Sequence, residues 1–554
     1  MRHALLALLL LASPSLQAQD ARFADEMDVE VVNLDVNVVG EDGAPVSGLT
    51  VEDFAVLDDG QPVQVTHFTP FQAEAAEAAA PTHLVLLFDD AEIEPADRGT
   101  AFARVRMQLD RLLGPNDRVL VARQGAGLQI EQPFTSDRAL VEEALKRLER
   151  ASPGVPPDVA NRRAVLSEIR MGDAAGANAL GSAPVVGGEI QKDTEQSAAT
   201  SLASVRSYAA SRRDHALRSL AALDRLVSAL TGLPGRKAIL LVSAGYDLRP
   251  GDEVYQAWLV KYRATRASRG SGSVDMEQPG LDIRRAIKEL GAGASASQVT
   301  LYAATRGSEA RPEFRESGKA AAETPAESLR LLAESTGGAV VFNLEGIERL
   351  AERLESDLHG GYSLGYPLPH PADGAWHSIE IRVRRPGARV QAASGYRARS
   401  QDQRTQDRAA AALLLGLAEN PLDLGVDLGT GTRERDGTYT VPVTLKVPLA
   451  RLMLLPKGSG HEGHLSIFLL TQGTDGGLSS GGKMEAPVRI ENAKMVEAMG
   501  QTGVYQANLR VRPGAYRVGV AVRDDVAALE SAVSVDLVIK DEAGKKGKRG
   551  KDAG

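Results

Sequence analysis

Four acidic side chains, Asp89, Asp90, Glu92 and Glu94, follow directly after the apolar run of residues 83–88, HLVLLF. Such a run predicts a strand buried on both faces of a parallel sheet. In open α/β sheets, ligands bind beyond the carboxyl ends of the strands. Acidic oxygens gathered there could hold a hard cation. Ser243 and Gly245 close a second such run, residues 237–243, KAILLVS, and belong to the same candidate binding edge. The plainer expectation is a solvated loop in which Asp90 or Glu92 caps the next helix. The sequence places no hydroxyl or third strand-end carboxylate to complete a cation shell.

Other motifs do less. Gly361, Ser363 and Gly365 fit the G-x-S-x-G pattern of hydrolase nucleophile elbows. That elbow needs a strand before the serine and a helix after it, and here the order is reversed. Residues 477–483, GLSSGGK, approach a phosphate-binding loop, but Met484 stands where the metal-binding hydroxyl belongs. They are expected to form a flexible Gly/Ser loop. His461 and His464 flank a Glu-Gly pair without an evident third ligand, so an exposed polar loop is expected there. The chain has no cysteine, which excludes disulfides, thiolate metal sites and cysteine nucleophiles.

The elements that must position these residues change type along the chain. Residues 28–70 alternate apolar and polar around two Asp-Gly turns, at 42–43 and 59–60, and predict a small antiparallel β unit. From 83 to 360, apolar strands near 83–88, 118–122, 237–243, 299–303 and 338–342 alternate with helical stripes near 99–113, 137–149, 216–231, 282–291, 328–335 and 347–358. That rhythm predicts an α/β domain with a doubly wound, mostly parallel sheet. Residues 151–200 interrupt it as an insertion, and 264–279 read as a loop. Alternation returns at 420–540, suggesting a β-sandwich, and residues 545–551, KKGKRGK, read as a solvated tail.

The 554 residues allow three or four domains at ~150 residues each. The net charge of -9 argues against a nucleic-acid binder, which usually carries a basic face. Residues 1–18 have a charged start, a nine-residue apolar run and small residues before Ala18, the pattern of a secretory signal peptide. That run, like the ten apolar residues at 409–418, falls short of the ~20 needed to span a bilayer. A soluble, exported protein is expected, secreted or periplasmic.

The stretches VVNLDVNVVGEDGAPVSGLTVEDFAVLDDGQPVQVTHF (31–68), LPGRKAILLVSAGYD (233–247), ESTGGAVVF (334–342), GYSLGYP (361–367) and SGYRAR (394–399) resemble a bacterial family of secreted proteins related to the von Willebrand factor type A domain. The resemblance spans roughly 28–400. It implies a Rossmann-like domain that binds proteins or matrix and is not an enzyme. Family members bind a divalent cation through Asp-x-Ser-x-Ser, a threonine and a later aspartate. Here the serine positions read Ala91 and Ile93, or Glu92 and Glu94, and the later aspartate position reads Ser243-Ala244-Gly245. No Gly-Gly-Thr segment stands in residues 151–160. A degenerate adhesion site with no metal ligands and no cofactor is therefore expected.

The resulting organisation is a leader at 1–18, a β unit at 28–70, an α/β domain at 82–366 with its insertion at 151–200, a β extension at 367–400, a β-sandwich at 420–540 and a basic tail at 541–554. The expected function is an exported, non-enzymatic scaffold for an unknown protein, envelope or matrix partner. Binding would use Asp89, Asp90, Glu92, Glu94, Ser243 and Gly245. The rivals are a cation-dependent adhesion module on Asp89, Asp90 and Glu92, and a secreted hydrolase with β accessory domains.

Overall fold

The computed structural model describes residues 31–41, 44–71, 81–90, 92–93, 95–114, 117–125, 127–151, 158–171, 187–262, 278–306, 324–417, 419–473 and 478–540. The expected leader, the basic tail, most of the 264–279 loop and Glu94 lie outside them.

Strand and helix alternate along residues 83–359 because each strand can bury only if helices cover both of its faces. Leu84, Leu86 and Phe88 of His83–Asp89 point to one face, where helices Pro95–Met107, Arg138–Arg150 and Ile347–His359 pack. Val85 and Leu87 point to the other, against Arg284–Ala296, Pro325–Ser335 and the end of Gly187–Thr231. The sheet has six strands in the order Val340–Val341, Val299–Ala304, Lys237–Val242, His83–Asp89, Arg118–Gln124, Leu128–Thr135. The first five run parallel, and Leu128–Thr135 is an antiparallel edge. Numbered along the chain, the order is 3-2-1-4-5-6, that of a doubly wound Rossmann-like sheet.

The β unit draws on two distant stretches. Val31–Val39 lies between Tyr362–Pro367 and Arg389–Ala392, and Phe54–Asp58 pairs with Trp376–Val383. Tyr362–Pro367 therefore belongs to this unit's sheet and not to the parallel sheet. Val32, Leu34, Val36, Phe54, Tyr362, Leu364 and Tyr396 share its core.

Residues 425–539 form two antiparallel sheets. One is built on Tyr439–Pro448 and Thr502–Val511, the other on Gly460–Gly473, Leu478–Glu491, Gly514–Asp524 and Leu529–Ile539. Val441, Val443 and Leu445 of the first meet Leu465, Ile467, Val518 and Val520 of the second in one core. The Gly/Ser stretch expected to be a loop is, within the described residues, part of strand Leu478–Glu491. Its pairing with Gly460–Gly473 shifts register at Leu469/Leu470. Gly482 there has a φ of +97°, the backbone of a glycine bulge, so small residues mark irregular pairing and not its absence.

Helix Gln401–Leu415 joins the two halves. Ser400 and Gln403 form a capping box at its start, and Gly416, left-handed with φ +66°, ends it. Ala411 and Leu415 enter the α/β core, while Ala409 and Ala412 pack on Phe468, Ala521 and Ala532. Beyond the parallel sheet, Asp158–Met171, Asp252–Tyr262 and the first part of the 45-residue helix Gly187–Thr231 enclose a satellite core around Trp258. The insertion read at 151–200 is thus helical over 158–171 and from 187 onward.

Arg236 fastens the β unit to the sheet. It is 7% exposed. Its Nη1 donates to the carbonyls of Asp357 (2.6 Å), Leu358 (3.2 Å) and Gly360 at the end of helix Ile347–His359. Its Nε lies 3.7 Å from Asp35 Oδ1, and the guanidinium stacks 3.9 Å from the Phe71 ring centroid. A cation at a helix carboxyl end satisfies otherwise orphaned carbonyls and favours the dipole. We expect Arg236→Ala to cost about 3–5 kcal/mol of unfolding free energy, the range for removing one partner from a buried charged site. Urea unfolding followed by circular dichroism measures it. A loss below about 1 kcal/mol would remove this role.

Candidate functional site

The order of strand addition reverses between the parallel neighbours His83–Asp89 and Lys237–Val242, and ligands of doubly wound sheets bind at such a switch point. Asp89 and Ser243 stand there. Phe88 pairs with Val242 and Asp89 with Gln124, so the residues that follow share one edge.

Asp89 is fully buried. Its Oδ2 accepts from Ser243 Oγ (3.1 Å) and from Tyr246 OH (3.1 Å). Ser243 Oγ in turn accepts from Gly245 N (3.0 Å), and Tyr246 N donates to Ser328 Oγ (2.8 Å). Burial, then the Asp89 charge, holds the Tyr246 phenol well above its usual range, so it stays a proton donor. Gly245 has φ +90°, and a Cβ there would overlap the Pro325 carbonyl, so only glycine lets this loop close onto helix Pro325–Ser335.

Of the acids within the described residues, Asp89, Asp90 and Glu92 are not solvated, and neither Asp90 nor Glu92 is free to serve as an exposed helix cap. Asp90 is 2% exposed. Arg98 Nε donates to its Oδ1 at 3.1 Å, and Arg123 Nη1 lies 3.8 Å from its Oδ2. Arg98 also bonds the carbonyls of Glu149 (3.1 Å) and Ala151 (2.8 Å) at the end of helix Arg138–Arg150. Glu92 turns back through Glu92 N to Asp89 O (3.0 Å) and faces Arg212 (3.4 Å) and His215 (3.5 Å). Burial nonetheless raises the Glu92 carboxyl to about 8, with Asp89 and Asp247 adding to it and Arg212 opposing. The edge thus sets a guanidinium against Asp90 and another against Glu92, and a dication at those oxygens would meet like charge. The residues present do not fit a metal shell of that kind.

Beside this network opens a cavity of about 420 Å³, lined among others by Ile93, Asp97, Ser243, Ala244, Thr305 and Ala326. Exposed Arg306 pairs with buried Asp97 at its rim. A second cleft, about 630 Å³, lies near the other end of the sheet and is lined by Arg236, Arg397, Arg404, Arg408, Asp117 and Asp407. Arg236 is committed to the helix end, and Arg408 Nε pairs with Glu530 at 2.5 Å.

The remaining sequence candidates are placed elsewhere. Ser363 is the second residue of strand Tyr362–Pro367, opposite Asp35, so no helix follows it. His461 and His464 lie on strand Gly460–Gly473, not a loop. His464 Nδ1 bonds Asp525 Oδ2 at 2.8 Å. Tyr246, Arg98, Arg212 and Ser328 were not legible as site residues. Tyr246 had one signal, its place beside Gly245 after a buried strand.

No protein family model matches the sequence, and no curated protein matches it. Solved structures do align. An aerotolerance-related membrane protein of Bacteroides fragilis is 12% identical over 50% of this chain and 99% of its own, with a TM-score of 0.23. BatB of Bacteroides thetaiotaomicron is 11% identical over 50% and 98%, with a TM-score of 0.21. Proximal thread matrix protein 1 of the mussel byssus, with a zinc-occupied MIDAS motif, is 10% identical over 52% and 48%, with a TM-score of 0.24. With values this low, the fold reading rests on the strand order itself.

The raised Glu92 carboxyl has a measurable sign. The folded chain keeps a proton that the unfolded chain releases above its value of 4.5. The associated stability is present below about pH 4.5 and is lost as pH rises through about 8. Glu92→Gln should therefore flatten the decline of the urea midpoint between pH 5 and 8. Parallel profiles for the two proteins would refute the assignment.

Proposed function

We propose that the chain is an exported, non-enzymatic interaction module related to the von Willebrand factor type A domain, with a degenerate adhesion site. In this reading, the docking edge is the carboxyl end of the parallel sheet within residues 82–366. The β unit and the 420–540 region, taken as a β-sandwich, extend the scaffold. The leader pattern at 1–18 directs it to the periplasm or beyond, where an envelope or matrix protein is the partner.

One observation carries this reading: a cavity of about 420 Å³ opens at the switch point of a sheet ordered 3-2-1-4-5-6. One lining residue, Ser243, is fixed from behind by buried Asp89, which also accepts from Tyr246. The cavity rim offers the Arg306–Asp97 pair for polar complementarity. A partner residue seated there would be desolvated against apolar walls and oriented by the rim, the arrangement of an interface hot spot.

The test uses the full chain, immobilised and exposed to an envelope extract of the producing cell. Ala244→Trp fills the cavity, and Arg306→Glu alters its rim without touching the core. Both should reduce recovery of a specifically retained protein at least tenfold, while Val504→Lys, on an exposed strand of the C-terminal region, should not. Equal recovery by all variants would sink the proposal.

For the cation-dependent reading, calorimetry with Mg²⁺ and Ca²⁺ is decisive. No saturable heat is expected, because Arg98 and Arg212 already face Asp90 and Glu92. Saturable binding lost on Asp89→Ala would replace this reading with the adhesion-metal one.

A further inference from the structure

A second group of titratable side chains lies in the β unit, outside the parallel sheet. Asp58 ends strand Phe54–Asp58, and Asp59 begins the turn to Gln61–Val63. Asp59 and Gly60 both take positive φ, +48° and +77°, as a two-residue type I′ hairpin requires. His377 is on the neighbouring strand Trp376–Val383, where Ile379 pairs with Asp58. His370 arrives from the connection between Tyr362–Pro367 and that strand, held between Pro369 and Pro371. Proline on both sides restricts the backbone there.

One ligand atom from each of the four lies within 4.8 Å of every other. His370 Nε2 is 3.2 Å from Asp58 Oδ1 and 3.8 Å from Asp59 Oδ2, and His377 Nδ1 is 2.9 Å from Asp59 Oδ2. Ligands around tetrahedral Zn²⁺, with bonds of about 2.0–2.2 Å, stand roughly 3.4 Å apart. The observed separations straddle that value.

Three further features separate the group from an ordinary hydrogen-bonded cluster. Asp58, 1% exposed, accepts at Oδ2 from Tyr366 OH (2.8 Å) and Tyr396 OH (2.7 Å). The two hydroxyls orient the carboxylate and leave Oδ1 toward His370. Ligating carboxylates characteristically carry such outer partners. His377 is 9% exposed and is held to the turn by its Nδ1, 2.9 Å from Asp59 Oδ2. Finally, the His370 and His377 rings stack 4.1 Å apart and 6° from parallel.

We propose that Asp58, Asp59, His370 and His377 form a Zn²⁺ site that ties the 58–60 hairpin to the two stretches carrying the histidines. Two imidazoles with two carboxylates favour a borderline transition dication over Mg²⁺ or Ca²⁺. Asp59 and His370 are partly exposed and supply the entry path. The site is independent of the docking edge, since none of its residues belongs to the parallel sheet.

The test titrates metal-stripped full-length protein with ZnCl₂ by calorimetry and follows the thermal midpoint. One saturable site and a raised midpoint are expected. His370→Ala and His377→Gln should each weaken binding at least tenfold, while Asp89→Asn and His464→Ala retain it. Co²⁺ as a probe should give the visible absorption of a tetrahedral complex, lost in His370→Ala. Because His370 is on the surface side, its variant should keep the wild-type circular dichroism, so lost binding there is not unfolding. Absence of saturable Zn²⁺ binding to the wild type, or equal binding by His370→Ala and His377→Gln, would overturn the proposal.

Discussion

A single buried guanidinium sets how the first two parts of this molecule meet. Arg236 precedes the central strand Lys237–Val242 and donates through Nη1 to the last carbonyls of helix Ile347–His359. The same side chain reaches Asp35 and Phe71 of the β unit. Burying a charge is unfavourable unless neighbouring groups compensate it. Here the helix end supplies hydrogen bonds, and the β unit supplies a carboxylate at 3.7 Å and a ring face. The chain can therefore bury Arg236 only by bringing the helix end, the sheet and the β unit together at once. Next to it, Lys237 is also buried and gives its Nζ to Leu233 O at 3.2 Å.

The opposite end of the sheet uses the same device with other residues. Arg98 closes the carbonyl end of helix Arg138–Arg150 and grips Asp90, and Arg212 of the long helix reaches Glu92 and Asp247. Carboxylates that could have met an outside cation are turned toward inside ones. What remains at this edge is an opening beside a hydrogen-bonded network.

Much of this was legible from period alone. The buried runs at 83–88 and 237–243 matched their strands within a residue or two, because burial on both faces leaves an uninterrupted apolar signature. Leu128–Thr135 was missed, since an edge strand with Pro133 and alternating polar residues carries little apolar signal. Helix Gln401–Leu415 was missed for another reason: it is buried on two sides by alanines and leucines, which erases the amphipathic stripe. Partners were the least legible. Val31–Val39 reads clearly as a strand, but nothing in its own residues names Tyr362–Pro367 as its neighbour. The candidate acids suffered likewise. Their loop looked solvated because Arg98, Arg123, Arg212 and His215 come from other elements. The Asp58-Asp59-Gly60 turn was read only as a turn, because its histidines stand more than three hundred residues away.

Helix Gln401–Leu415 is shared property. Asp402 and Thr405 bind Arg523, and Arg408 binds Glu530, on the C-terminal side. On the other side a Cβ at Gly232 would overlap the Asp407 carbonyl, so the helix backbone lies directly on the turn that leads into Arg236. Residues on opposite faces of one helix thus serve two separate cores, so a substitution that shifts this helix is felt in both.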